Sequence, residues 1–216
     1  MNMSVIPSII SDDMHDLKEK LEMARSVAKE VQIDFFDGVY VPNYKSIGPS
    51  VFQNMNIYMD MVAHILAFEP EHMVEDLILA GFKRIIFHLE TTDHAEEIIE
   101  KANQKGVEIG VAIDPETDVA ESEKYVGRVS EHMFLAVNPK HPGIFIPDVL
   151  DSLRTMRKSH PLVRVSVDGG ISADNIEEIC FAGADIAYVG SAVFDHGAPE
   201  ENFKLIAEKV DRLKAS

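Results

Sequence analysis

The sequence has little cysteine, little positive charge and no long apolar run. Cys180 is the only cysteine among 216 residues, so no intrachain disulfide can form, and its apolar helical surroundings indicate a core position. Lysine and arginine number 20 against 37 aspartate and glutamate residues, which gives a formal net charge of −17. Because this charge repels a phosphate backbone, we expect no nucleic-acid partner.

Apolar stretches are too short to cross a membrane. None approaches the roughly 20 residues that span a bilayer, and the first ten residues lack the basic segment of a signal peptide. We therefore expect a soluble, cytoplasmic protein with no membrane partner. A small phosphorylated ligand is still compatible with the negative net charge, because backbone N–H groups and helix N-termini attract anions locally.

Short β-rich runs alternate with longer amphipathic runs from end to end, which predicts parallel strands joined by crossover helices. The predicted strands are 5–9, 31–36, 59–66, 84–88, 107–113, 132–137, 163–167 and 186–189. The clearest predicted helices are 12–28, 71–80, 95–104, 147–158, 175–182 and 200–213. No linker divides the chain, so we predict a single (β/α)8 TIM barrel domain over 1–216, with an open doubly wound sheet as the minor alternative.

Polar residues near the ends of these strands are the candidate site residues, because such barrels place their active sites at the C-terminal face. They are Ser8, Gln32, Asp34, Asp37, His64, His88, Asn138, Asp168 and the pair Gly190 and Ser191.

Two glycine-containing turns follow the last two predicted strands. Val167-Asp168-Gly169-Gly170 is followed about twenty residues later by Val189-Gly190-Ser191. Glycine lets the backbone approach an oxyanion closely, and these two loops are a recurrent phosphate site in such barrels. We predict phosphate binding here; the alternative is that both segments are only tight turns.

Three ionisable side chains are predicted to converge at the barrel mouth. Gln32 and Asp34 share one face of a strand, where a carboxylate is costly unless it meets a cation or a hydrogen-bond donor. Asp34, His64 and Asp168 together form a plausible divalent-metal set. The structural alternatives are a paired carboxylate at Asp34 and a satisfied core histidine at His64. We interpret His88 as structural, or as a group that supports the ligands.

The spaced motifs resemble the ribulose-phosphate 3-epimerase family over nearly the whole chain. The matching segments are Pro7-Ser8-Ile9-Ile10-Ser11, Asp34-x-x-Asp37-Gly38, Val41-Pro42-Asn43, His64 six residues before Pro70, Val137-Asn138-Pro139, Val167-Asp168-Gly169-Gly170 and Gly190-Ser191.

This resemblance implies a ribulose-phosphate-binding barrel that interconverts ribulose 5-phosphate and xylulose 5-phosphate by metal-dependent epimerisation at C3. It makes Asp34 and Asp168 the acid/base pair, with proton transfer on opposite faces of an enediolate. The implied ligands of the divalent ion are Asp34, His64, Asp168 and Gln32; zinc is expected, with manganese, iron or cobalt as alternatives. The resemblance also implies that Ser8 contacts the substrate and that the phosphate is bound by Gly169, Gly170, Gly190 and Ser191.

The chain departs from the family pattern in three places. Gln32 stands where the family has histidine, and an amide oxygen binds zinc more weakly than imidazole does. The glycine-rich loop after the sixth strand is replaced by residues 138–144, where Lys140 or His141 is a candidate source of positive charge. Methionines that line the family's substrate pocket are replaced here by Phe36, Leu66 and Leu135, which changes the expected shape of the cavity.

Two other functions compete with an active epimerase. One is a non-catalytic phosphosugar-binding barrel that has lost its metal, favoured by the changes at Gln32 and in the loop. The other is a decarboxylase or aldol-type synthase, which lacks support because neither a strand-ending lysine nor an Asp-x-Lys-x-x-Asp motif is present. By analogy with related barrels, we expect a homo-oligomer.

Overall fold

Eight parallel strands close into a barrel in the computed structural model, which describes residues 3–214. Each strand pairs with the next in the chain, and the eighth pairs with the first. This confirms the predicted (β/α)8 fold and excludes the open sheet. The strands are β1 (Ser4–Ile9), β2 (Glu30–Phe36), β3 (Asp60–Leu66), β4 (Arg84–His88), β5 (Glu108–Ile113), β6 (Glu131–Leu135), β7 (Val165–Asp168) and β8 (Ile186–Val189).

Helices occupy most of the connections. They are α1 (Met14–Val27), α2 (Glu71–Leu79), α3 (Ala95–Gln104), α4 (Val119–Glu123), α5 (Val149–Ser159), α6 (Ile176–Ala182), α7 (Ser191–Phe194) and α8 (Pro199–Lys214). A 3-10 helix, Pro49–Asn54, takes the place of an α-helix between β2 and β3, where the sequence is short and poorly amphipathic. Within residues 3–214 no helix is both long and apolar enough to cross a bilayer.

One domain over 1–216 stays a prediction, and its residues 1, 2, 215 and 216 lie outside the described part of the chain.

Alternation of side chains along each strand divides the interior into an outer and an inner apolar region. Outward-facing residues such as Ile33, Phe35 and Ile65 pack with the helices in a large buried cluster. The alternate positions face the barrel axis, because successive strand side chains point to opposite sides. Val62, Ile86 and other inward residues form a separate buried layer below the barrel mouth. This layer keeps water away from the underside of the polar residues above it.

A charged cluster fills the opposite, N-terminal end of the barrel. The Arg84 guanidinium contacts the carboxylates of Glu108 at 2.9 Å, Glu131 at 3.2 Å and Glu30 at 3.3 Å. Tyr188 donates to Glu131 at 2.9 Å and accepts from Arg84 at 3.2 Å. Burial raises the pKa of the Glu131 carboxyl, although the Arg84 charge opposes this effect. One cation therefore compensates several carboxylates at the base of the barrel.

Replacing Arg84 with methionine is expected to lower the free energy of unfolding by about 3–5 kcal/mol, because Glu131 stays buried without its cationic partner. The matched control is Arg128→Met, which removes an exposed ion pair with Glu96 and is expected to cost less than about 1 kcal/mol. Urea denaturation followed by circular dichroism measures both changes. Equal losses in the two variants would contradict a structural role for the cluster.

Candidate active site

The polar side chains predicted at the strand ends surround one cavity at the C-terminal mouth of the barrel. The cavity has a volume of about 330 Å³. Gln32 is fully buried and contacts three of the lining residues through its amide nitrogen. The structure therefore brings most of the predicted residues together, whereas Asp37, His88 and Asn138 lie outside the cavity wall. Those that line the cavity are Ser8, Asp34, His64, Asp168, Gly169, Gly170, Gly190 and Ser191.

The register of the first three strands sets the positions of four of these residues. Ser8 pairs with Gln32 between β1 and β2, and Asp34 pairs with His64 between β2 and β3. Gln32 and Asp34 are two residues apart, so both project to the same side of β2. Asp168 reaches the same place from β7 because the barrel is closed. Chain positions more than one hundred residues apart thus become neighbours.

A single amide links the two acidic groups. Gln32 Nε2 lies 2.9 Å from Asp34 Oδ1, 2.7 Å from Asp168 Oδ2 and 3.0 Å from Ser8 Oγ. Ser8 Oγ in turn donates to Asp34 Oδ2 at 2.9 Å. Two carboxylates held this close repel one another, and the amide and hydroxyl donors reduce that repulsion. These contacts hold the acidic groups at a common point.

His64 faces both carboxylates with one edge of its ring. Its Nδ1 lies 3.0 Å from Asp168 Oδ2 and 3.3 Å from Asp34 Oδ1. Neither contact has hydrogen-bond geometry, so this buried nitrogen lacks a hydrogen-bond partner among the residues described. Burial lowers the pKa of His64, but the nearby Asp168 and Asp34 carboxylates outweigh it and raise the pKa to about 9.

The pKa of the Asp34 carboxyl is raised above its usual range. Burial raises the pKa of this carboxyl, and the negative charge of Asp168 raises it further. The hydrogen bond from Ser8 and the proximity of His64 oppose this shift without cancelling it. Such a pair of carboxyl groups is suited to holding one proton between them.

The three side chains offer a divalent-metal site. One ligand atom from each of Asp34, His64 and Asp168 lies within 4.8 Å of the others, and the residues are buried. Gln32 Oε1 is also buried, and no group in residues 3–214 bonds to it. The nitrogen and oxygen of an amide exchange places by a half-turn, which brings Oε1 to the carboxylates. An oxygen there is unfavourable beside two anions but favourable with a cation between them, so the donor set fits a divalent ion.

The glycines after β7 adopt conformations that side chains disfavour. Gly169 and Gly170 have φ angles of 97° and 65°. A Cβ atom on Gly170 would lie 2.8 Å from the backbone nitrogen of Phe145, and one on Gly169 would lie 2.8 Å from a methyl of Val137. Asn175 donates to the Gly170 carbonyl at 2.9 Å and holds the turn in place. The turn is therefore packed so closely that only glycine fits.

The altered loop after β6 contributes apolar atoms to the cavity. Pro139, Pro142 and Gly143 line it, whereas Lys140 and His141 are exposed and lie outside the cavity wall. The idea that Lys140 or His141 supplies charge to a phosphate therefore finds no support in this arrangement. As the sequence comparison implied, Phe36, Leu66 and Leu135 also line the cavity.

Sequence reasoning missed a basic residue in the wall. Lys20, on α1, lines the cavity, and its ammonium group donates to the Ile10 carbonyl at 2.9 Å. It also pairs with Asp16 at 2.9 Å. A lysine four residues after an aspartate is the usual pattern of a solvated helix pair, so the sequence carried no distinctive signal for it.

The sequence matches the model of the Ribulose-phosphate 3 epimerase family over residues 4–194. It is 33% identical to a protein of Schizosaccharomyces pombe named ribulose-phosphate 3-epimerase, over 91% of this chain and 89% of that one. A protein of the same name from Escherichia coli strain K12 is 32% identical, over 88% of each chain.

The fold is also shared with more distant barrels. A crystal structure of 3-hexulose-6-phosphate synthase from Salmonella typhimurium superposes with a TM-score of 0.73 over 95% of this chain and 97% of that chain. The sequence identity of that pair is 17%, so the likeness concerns the fold alone. With the family match and the identities to the two epimerases, we conclude that the chain belongs to the ribulose-phosphate 3-epimerase family.

Proposed function

We propose that this protein catalyses the reversible epimerisation at C3 of a ketopentose phosphate, interconverting ribulose 5-phosphate and xylulose 5-phosphate. Family membership supports the reaction class, since the protein is by relationship an isomerase of the carbohydrate epimerase type. The observation that carries the proposal is the meeting of Asp34 and Asp168 at His64, in a cavity that also contains the glycine turns.

The two aspartates are the proposed acid and base. The C3 proton is acidic because it is α to the ketone, so a positioned carboxylate can remove it. The second carboxyl, in its protonated form, then delivers a proton to the opposite face of the planar enediolate. In the reverse direction the two residues exchange roles.

A divalent cation would be held by four side chains, namely Asp34, His64, Asp168 and, through Oε1, Gln32. Zinc is the expected ion, and manganese, iron and cobalt are alternatives. When bound, the cation supplies a Lewis acid for the negative charge that develops as the C3 proton leaves. Ser8, which donates to Asp34, orients that carboxylate and is close enough to the cavity to contact the substrate.

The phosphate of the substrate is proposed to lie at the turns after β7 and β8. Gly169, Gly170, Gly190 and Ser191 line the cavity there, where backbone N–H groups can approach an oxyanion. Lys20 lines the same cavity, with its ammonium group paired with Asp16. We also propose, by analogy with related barrels, that the chain forms a homo-oligomer, which sedimentation velocity would test against a monomer of 24.1 kDa.

A non-catalytic phosphosugar-binding protein is the second candidate function. The amide nitrogen of Gln32 already donates toward both Asp34 and Asp168, an arrangement that lowers their repulsion without a cation. Under this alternative the chain binds ketose phosphates and holds no metal. Metal content and proton exchange separate the two candidates.

Purified protein supplied with zinc, manganese, iron or cobalt is expected to exchange the C3 proton of ribulose 5-phosphate for deuterium in heavy water. Asp168→Asn should slow this exchange by about 10²- to 10⁴-fold, because an amide cannot transfer the proton. Proton NMR of the sugar follows the exchange. The control, Asp174→Asn, changes an exposed aspartate in the next loop and should exchange at the wild-type rate. Full exchange in Asp168→Asn would exclude the two-aspartate mechanism.

Metal removal is expected to abolish the exchange. Protein purified without chelator should carry one divalent ion per chain by elemental analysis, and dialysis against a strong chelator should remove both metal and activity. Returning zinc should restore the rate, whereas magnesium, which prefers an all-oxygen octahedral site, should do so poorly. Sugar-phosphate binding with neither metal nor exchange would instead favour the non-catalytic alternative.

Substituting alanine for Gly170 is expected to raise the KM for the ketose phosphate by at least about tenfold, the effect of losing one hydrogen bond to a charged group. The added Cβ would displace Phe145 and move the turn. Gly106→Ala is the matched control, because Gly106 has a similar φ of 71° but no atom within 4 Å of the added Cβ. Steady-state kinetics on both variants distinguishes loss of phosphate binding from general backbone strain. An unchanged KM in Gly170→Ala would place the phosphate elsewhere.

A further inference from the structure

A row of polar side chains runs from His64 to the edge of the barrel mouth. His64 Nε2 lies 3.0 Å from His88 Nε2, and the two rings stack with centroids 5.1 Å apart. His88 Nδ1 lies 3.0 Å from the Tyr40 hydroxyl, which donates to Asp114 Oδ1 at 2.5 Å. Both histidines are fully buried, whereas Asp114 is partly exposed. The acid/base chemistry proposed above uses none of Tyr40, His88 and Asp114.

Two loops hold the outer members of this row. Asp37 accepts from the backbone N–H groups of Val39 and Tyr40, and it also accepts from that of Phe68. These bonds fix the turn after β2 so that the Tyr40 ring lies over the barrel mouth. Glu90 accepts from the Asp114 backbone N–H at 2.8 Å and so anchors the end of β5. The row is thus positioned by several independent contacts.

The donors and acceptors in this row have a defined order. The Asp114 carboxylate can only accept, so Tyr40 donates its single proton to it. Burial and the charge of Asp114 raise the pKa of Tyr40, which keeps that proton on the hydroxyl. The hydroxyl then accepts from His88 Nδ1–H. In its neutral form, with that N–H at Nδ1, His88 carries a lone pair at Nε2 and accepts from His64 Nε2–H.

We propose that Asp114, Tyr40 and His88 form a one-directional hydrogen-bond relay that holds the remaining proton of His64 on Nε2 when a cation is bound, so that the Nδ1 lone pair faces the cation between Asp34 and Asp168. The three are positioning residues, and they act through His64 on a divalent cation. This inference rests on the proposed function, because it takes His64 Nδ1 as a ligand atom.

The contacts of Nδ1 agree with this assignment. It lies close to two carboxylate oxygens without hydrogen-bond geometry, and it has no other bonding partner within the described chain. A lone pair pointing at two anions is unfavourable by itself and becomes favourable with a cation between them. In metal sites generally, the second nitrogen of a ligating histidine is held by an outer hydrogen-bond partner that fixes the tautomer. Here that partner is another histidine.

Removing the acceptor at the end of the row is the sharpest test. In Asp114→Leu the Tyr40 hydroxyl is free to donate to His88 Nδ1, which reverses the order and puts the proton of His64 on Nδ1. Zinc affinity, measured by competition with a chromophoric chelator at fixed pH, should fall by about 10- to 100-fold. Adding Tyr40→Phe to Asp114→Leu removes the misdirected donor, so the double variant should bind zinc more tightly than Asp114→Leu. Tyr58→Phe, at an 80% exposed tyrosine, is the control and should leave the affinity unchanged.

A second measurement reads the tautomer directly. In the zinc-loaded wild-type protein, imidazole nitrogen chemical shifts from long-range proton–nitrogen NMR should show His64 protonated at Nε2. Tyr40→Phe keeps the ring and its packing, so it provides a variant that folds if Asp114→Leu does not. Its zinc affinity should fall by about tenfold, the lower end of the range, because His88 Nδ1 also lies 3.2 Å from Asp114.

The outcomes separate the relay from the proposed function. Wild-type protein that binds zinc and exchanges the C3 proton, with the same zinc affinity in Asp114→Leu, would overturn the relay and leave the epimerase proposal intact. A double variant no tighter than Asp114→Leu, or a proton on His64 Nδ1, would also overturn it. Wild-type protein that binds no zinc would remove the proposed cation site and the relay together.

Discussion

Two carboxylates buried a few ångströms apart are the constraint on which the barrel mouth depends. Asp34 and Asp168 approach a common point, and like charges at this separation are costly away from water. The neighbouring groups reduce this repulsion. The Gln32 amide donates to both carboxylates, the Ser8 hydroxyl donates to Asp34, and the His64 ring contacts both. The same geometry would give the proposed cation two anionic ligands and would give the transferred proton a carboxyl group to bind. Stability and proposed chemistry therefore arise from one arrangement.

The scaffold makes this arrangement possible by separating polar groups into two ends with an apolar layer between them. At the N-terminal end, Arg84 contacts the buried Glu131 and two further carboxylates and so lowers their mutual repulsion. The C-terminal end is left with an excess of acidic groups facing a cavity, and Lys20 adds a cation to the wall. An excess of acidic groups is tolerable in a binding site because a bound cation can balance their charge. The net charge of −17 is thus no obstacle to a phosphorylated substrate, since the backbone turns and Lys20 act at short range.

Gln32 and the row of Tyr40, His88 and Asp114 both bear on the proposed cation site. A neutral amide ligand binds a cation such as zinc more weakly than imidazole does. A histidine ligand whose tautomer is fixed by an outer hydrogen bond binds a cation more tightly, because no free energy is lost in selecting the correct tautomer. The proposed relay and the substituted amide act on the same quantity, the affinity for the ion, and in opposite directions.

The sequence by itself determined the barrel and pointed to most of the residues that meet in the cavity, whereas only the tertiary structure decided how these residues contact one another. Alternation of strand and helix patterns is a local property, so β4, α3 and β8 were predicted with their observed ends. Asp34, His64 and Asp168 were likewise recognisable from their places at strand ends. Three features were not recognisable from the sequence. They are the contacts of Gln32 with both carboxylates, the position of Lys20 in the cavity wall and the row of side chains from His64 to Asp114. Tyr40 and Asp114 are 74 positions apart, and their contact depends on the closure and register of the barrel, which no local pattern encodes.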